Sequence, residues 1–172
     1  MKIIPYLVDW TEAKQGLQFT QKPNLKALGV GAYSFNFPDS YNLYMTIAEA
    51  YEQMRSSVPE SISPRVDQFM SCLITFDGYC QDLGDSPDLA LSISPESALK
   101  LAYIGNQINW EGFKTIYDQA CESYVKESLA QFKTGVSPSR SFEEIFAPYL
   151  KLWLNMINTA AMEEMGIVVL WS

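Results

Sequence analysis

Asp82, Asp85 and Asp88 in "DLGDSPD" come nearest, by residue type, to a metal site. A hard cation such as Ca²⁺ takes several carboxylate oxygens from a flexible loop, but an EF-hand loop supplies them from alternate positions. A spacing of three reads instead as a solvated acidic loop whose further use would be recognition of a basic partner. The adjacent pairs Glu143-Glu144 and Glu163-Glu164 invite acid–base chemistry on a glycosidic bond. Neighbouring helical residues point about 100° apart, so neither pair converges on one reacting atom. The first pair suits a helix N-terminus, whereas the second opposes the dipole near a C-terminus.

Gly29 and Gly31 in "LGVGAYS" suggest a phosphate loop, but the third glycine of the dinucleotide fingerprint is missing and no lysine follows. A turn is expected there. Cys72, Cys80 and Cys121 form no C-x-x-C pair and cannot all bridge within the chain, which points to buried thiols in a reducing compartment. The sequence contains no histidine. That closes Ser-His-Asp and Cys-His nucleophilic sites and removes the side chain that titrates nearest neutrality. No catalytic residue, metal ligand or cofactor is therefore assigned.

The remaining chemistry is aromatic. "GVGAYSFNFPDSYNLY", residues 29–44, places Tyr33, Phe35 and Phe37 at period two before Pro38-Asp39-Ser40 turns the chain into a helix carrying Tyr41 and Tyr44. Phe35 and Phe37 are expected inward. Tyr33, Tyr41 and Tyr44 are expected partly exposed, as partner-binding residues, because tyrosine joins contact area to a hydrogen-bonding tip.

These groups need elements to hold them. The 172 residues are 48% hydrophobic and 19% charged, enough for one core and one domain over 1–172. "IIPYLV" at 3–8 reads as a strand in which Pro5 marks an edge, and Thr11 as the cap of a short helix through "EAKQGL". Asp39 or Ser40 starts a helix to about Ser57 with Leu43, Ile47, Ala50 and Met54 on one face. Ser63-Pro64 starts another; Ser94-Pro95-Glu96 starts a third, about 95–108, after a strand at 89–93. Asn109 caps a fourth helix with Trp110, Phe113, Tyr117 and Ala120 on its stripe and Lys114–Asp118 outside. Ser141 and Glu144 make a capping box for a last helix, regular over about 148–165 and apolar nearly all round, with Lys151, Asn155 and Asn158 as its polar strip. Gly166 reads as its C′ stop, and "IVVLW" at 167–171 as a strand covered on both faces. The fold class expected is α+β: about five helices around a small mixed sheet that holds the N-terminal and C-terminal strands.

From Ser94 onward, "SPESALKLA", an aromatic helix, and "APYLKLWLNMINTAAMEEMGIVVLWS" succeed one another. This half of the chain resembles the C-terminal part of the YfbM-like family of uncharacterised bacterial proteins. The family's His and Trp positions have no counterpart between Val58 and Leu89. The resemblance implies an α/β domain of bacterial origin and carries no catalytic residue.

The formal net charge is −8, and residues 41–100 hold nine acidic against three basic side chains. Such a field opposes binding to nucleic acid or anionic lipid and attracts a basic protein. The N-terminus meets polar residues too early for a signal peptide, and no apolar run approaches a membrane span, so a cytoplasmic protein is expected. The reading is a non-catalytic protein-binding protein, most specifically an immunity or inhibitor protein that neutralises a bacterial toxin. The rival is a small-ligand-binding domain or enzyme using carboxylate and Tyr groups in a pocket near residues 33–44.

Overall fold

The computed structural model describes residues 3–17, 40–57, 59–74, 89–131 and 142–171. Along them run β1 (Ile3–Val8), α1 (Trp10–Leu17), α2 (Ser40–Ser57), α3 (Pro64–Ile74), β2 (Leu89–Ile93), α4 (Pro95–Gln107), α5 (Trp110–Gln131), α6 (Ala147–Met162) and β3 (Gly166–Trp171). A short 3₁₀ turn at Pro59–Ser61 joins α2 to α3, and a π-helical turn at Phe142–Phe146 leads into α6. The fold is thus helix-rich α+β, with the first and last strands side by side in one sheet.

The sheet order is β1-β3-β2, and both pairings are antiparallel rather than mixed. β1 and β2 run the same way but are separated by β3, so no parallel pair forms. Leu7, Ile167 and Ile93 share one row of the register, and Tyr6, Val168 and Ser92 the next. Side chains alternate between faces along a strand. Leu7, Leu91, Ile93, Ile167 and Val169 therefore turn to the helical core, and Tyr6, Val8, Ser92 and Val168 turn the other way. Val8, Ser92 and Val168 are nonetheless fully buried. The central strand is covered on both faces, which is why it needs no polar residue.

Helix α6 runs through the core. Trp153, Met156, Ile157 and Ala160 are buried on it, while Lys151 and Asn155 stay exposed and Asn158 accepts a 2.9 Å hydrogen bond at Oδ1 from Asn106 Nδ2. α4 packs along α6, and Gly105 makes this approach possible: a Cβ there would lie 2.7 Å from the Phe69 ring and 2.8 Å from Leu154 Cδ2. Phe113 and Tyr117 of α5 pack on Phe142 and Phe146, whose own rings stack at 5.8 Å.

Several termini differ from the sequence expectation. Asp9, not Thr11, caps α1: its Oδ1 accepts from the backbone N–H of Thr11 at 2.9 Å and of Glu12 at 3.0 Å. Trp10 can then enter the helix and lie against Gly166, where any Cβ would overlap the indole. Gly166 is consequently a strand residue required by close approach rather than the stop of α6. That stop is Glu164, in the left-handed region at φ 54°, with the Met165 N–H donating back to the Ala160 carbonyl at 2.9 Å. This is the long bond of a Schellman ending, at a position glycine usually fills. α6 begins from the π-helical turn without a side-chain cap, with Pro148 tolerated in its first turn. Ser141 lies outside the described residues. Ser94 and Asn109 cap as expected, accepting from Ser97 N at 3.2 Å and Gly112 N at 3.1 Å.

Candidate functional site

Two places on the described surface concentrate functional chemistry. The first lies where α2 meets α3. Ile47, Tyr51 and Met54 recur at steps of four and three, so α2 buries all three on one side. Arg55 sits one turn beyond Tyr51. Asp67 stands in the first turn of α3, where the helix dipole favours an acid. The Tyr51 hydroxyl donates to Asp67 Oδ1 at 2.7 Å. Arg55 grips the same carboxylate side-on along one edge, Nε to Oδ1 at 2.9 Å and Nη2 to Oδ2 at 3.2 Å, while Glu52 lies 3.6 Å from its Nη1.

Burial raises the Tyr51 pKa far above its ordinary value; the hydrogen bond to Asp67 and its negative charge add to the effect, and Arg55 only partly opposes it. The phenol therefore keeps its proton at neutral pH, and at 1% exposure it cannot reach a substrate. Both Asp67 oxygens are already taken. The constellation braces α2 against α3 and offers no free acid, base or nucleophile. Beside it lies an open cleft of about 520 Å³ lined by Glu52, Arg55, Ser56, Pro59, Ile62 and Asp67. Two carboxylates against one guanidinium leave that cleft acidic.

The second place is the outer face of α4. This helix turns Ala98, Leu101, Ala102 and Gly105 inward, which puts Leu99 and Tyr103 outward, one turn apart. They are 60% and 65% exposed. With Gln68 of α3, Lys100 and Ile104 they line a shallow, mainly apolar groove. Its one cation is engaged: Lys100 Nζ lies 2.7 Å from Glu96 Oε1, and that bond holds the Glu96 carboxyl below the usual carboxylate range. Met162, at the end of α6, is 80% exposed. The sequence reading missed Leu99, Tyr103 and Tyr51. A 100° helical count over 95–107 would have set Leu99 and Tyr103 opposite the small-residue face, and the same count over 47–54 would have found Tyr51.

Tyr33, Asp82, Asp85 and Asp88, like Phe35, Phe37, Gly29, Gly31 and Cys80, lie outside the described residues. Tyr41 and Tyr44 fall in the first turns of α2, as read from the cap, and their side chains lie outside the described residues. Cys72 is fully buried in α3, as expected for a core thiol. Glu143 is exposed and pairs with Lys114 at 2.6 Å, which raises the lysine pKa. Lys114 thus reaches across to the segment before α6 rather than along its own helix to Asp118. Glu163 and Glu164 are exposed. No group of three His, Cys, Asp or Glu among the described residues could hold a metal ion, and no described helix is long and apolar enough to cross a membrane. Compared with known proteins, the chain matches no family model, no curated protein and no solved structure.

Proposed function

We propose that this chain is a non-catalytic protein-binding protein of the bacterial cytoplasm, most specifically an immunity or inhibitor protein that neutralises a basic toxin. The observation that carries the reading is the exposed pair Leu99 and Tyr103 beside a shallow apolar groove. A rigid helix presenting a tyrosine and a leucine one turn apart is suited to anchor a partner, because aromatic side chains at the centre of an interface contribute most of its affinity. The net charge of −8 supplies the other half: an acidic surface speeds the encounter with a basic protein and repels polyanions. Tyr33, Tyr41 and Tyr44, with Asp82, Asp85 and Asp88, belong to this proposal as further partner-binding residues read from the sequence. A toxin that acts on nucleic acid is basic for the same electrostatic reason, and so has the complementary charge.

The test is affinity purification of the tagged protein from its host at low and high salt, beside Leu99→Ala/Tyr103→Ala and Asp82→Asn/Asp85→Asn/Asp88→Asn variants. One stoichiometric basic protein is expected with the wild type. It should be lost with the apolar double variant, and recovered more weakly as salt rises or the aspartates are neutralised. A wild-type protein that elutes alone under every condition, or a partner indifferent to both variants, overturns the proposal.

A further inference from the structure

A second cleft lies between the start of α3 and the junction of α4 with α5, with a volume of about 460 Å³. Its wall is apolar: Ile62, Val66, Ile108, Phe113 and Ile116 line it, and of these Val66 and Phe113 are buried while the three isoleucines are half-buried. Its polar side is Ser61, Ser63 and Asn109 with Arg65 and Gln107, the last two joined by a 2.6 Å hydrogen bond from Arg65 Nη1 to Gln107 Oε1. That bond spans from α3 to the last residue of α4 and fixes the guanidinium at the cleft.

The charge of this cleft is the reverse of the one beside Asp67. There the guanidinium of Arg55 is consumed by Asp67 and Glu52. Lys100 and Lys114 are likewise tied to Glu96 and Glu143. Arg65 instead donates to a neutral amide, and none of the described residues lining its cleft is acidic. Glu60 and Glu111 are near in sequence and do not line the cavity. In a chain of net charge −8, a cleft whose one cation is bonded to a neutral amide rather than to a carboxylate is an exception among the described clefts.

We propose that this cleft binds a small monocarboxylate with an apolar tail, the carboxylate received by the remaining N–H edge of Arg65 and the tail lying on Ile108, Phe113 and Ile116. A guanidinium offers two parallel donors that match a planar carboxylate, and a single positive charge balances a single negative one. The cavity falls within the range of roughly 300–1,000 Å³ that small-ligand sites occupy, and an apolar wall with one placed charge is their usual composition. The inference is independent of the protein-partner reading, since it is tested on the purified chain with no partner present.

Sodium octanoate is the probe, titrated by calorimetry and by ¹³C NMR of the isoleucine methyl groups, with octanamide as the neutral head-group control. Saturable octanoate binding that shifts the Ile108 and Ile116 methyls is expected. Loss of a hydrogen bond to a charged group should weaken it about tenfold or more for octanamide, and equally for octanoate on the Arg65→Gln variant. Arg65→Lys, which keeps the charge and loses the fork, should fall between. Arg65 is exposed, so both variants should keep the wild-type circular dichroism and melting temperature. Equal affinity for octanoate and octanamide, unchanged affinity in Arg65→Gln, or no saturable binding by the wild-type chain overturns the proposal.

Discussion

Tyr51 and Glu164 show how much single side chains decide here. The Tyr51 hydroxyl spends its proton on Asp67, and burial adds to the cost of removing it. Its pKa is raised in the folded state, so the folded chain keeps a proton that the unfolded chain releases above about pH 10. The stability from this group is therefore complete below about pH 10 and declines as pH rises beyond it. Absorbance at 295 nm should show at least one tyrosine that ionises only with unfolding, and Tyr51→Phe should shrink that late step by one tyrosine. The same variant loses a partly screened bond to a carboxylate that Arg55 still holds, and should be destabilised by about 1 kcal/mol in urea. Glu164 is the reverse case, a residue at odds with its place. It holds a left-handed backbone and an acid at a helix C-terminus, two unfavourable choices at once. Glu164→Gly should raise stability by about 1 kcal/mol, read as a higher denaturant midpoint with an unchanged slope. Neither feature follows from spacing alone. The adjacent acids were visible in the sequence as a broken rule, whereas the left-handed turn is set by where α6 must stop for Gly166 to meet Trp10.

At the scale of elements, periodicity and caps located α2 through α6 and β3 because each carries a full apolar stripe or run. The misreadings fell where tertiary contact outweighed local preference. Gly166 looked like a helix stop since glycine usually is one, but the Trp10 indole occupies the space its side chain would need. The approach to α6 is a π-helical turn that spacing did not foretell, and it places Phe142 and Phe146 on Phe113 and Tyr117. The candidate sites were less legible than the fold, because the α4 face and the Arg65 cleft arise from which helix lies beside which. Gly105 shows that dependence. It sits in the last turn of α4, where alanine would favour the helix by up to about 1 kcal/mol on propensity. The added methyl would press on the Phe69 ring, held edge-on against Trp110 at 5.7 Å, and on Leu154 of α6. Overpacking of this kind costs about 1–3 kcal/mol, so Gly105→Ala should be neutral to destabilising by about 2 kcal/mol. At Gly112 an added methyl would instead press at 3.0 Å on the Asn109 side chain that caps α5, so the propensity gain there is set against a disturbed cap worth about 1 kcal/mol.

The whole molecule carries its charge as a field as well as in pairs. Four ion-paired contacts among the described residues use Arg55, Lys100 and Lys114, and each has an exposed or half-exposed partner, so together they add little to stability. The unbalanced remainder of the −8 repels itself in the folded state. Raising salt shortens the screening length from about 30 Å at 0.01 M to about 8 Å at 0.15 M, which weakens repulsion across the molecule more than the close pairs. The melting temperature should therefore rise with sodium chloride over this range, although salt bridges alone would make it fall. Affinity for a basic partner should move the opposite way over the same range, since what destabilises the free protein is what draws the partner in. The two trends measured together distinguish a surface kept acidic for binding from one that is merely solubilising. A partner whose association rate is flat between 0.01 M and 0.15 M salt, while the melting temperature climbs, would mean that the charge serves solubility alone and that Leu99 and Tyr103 must account for recognition by themselves.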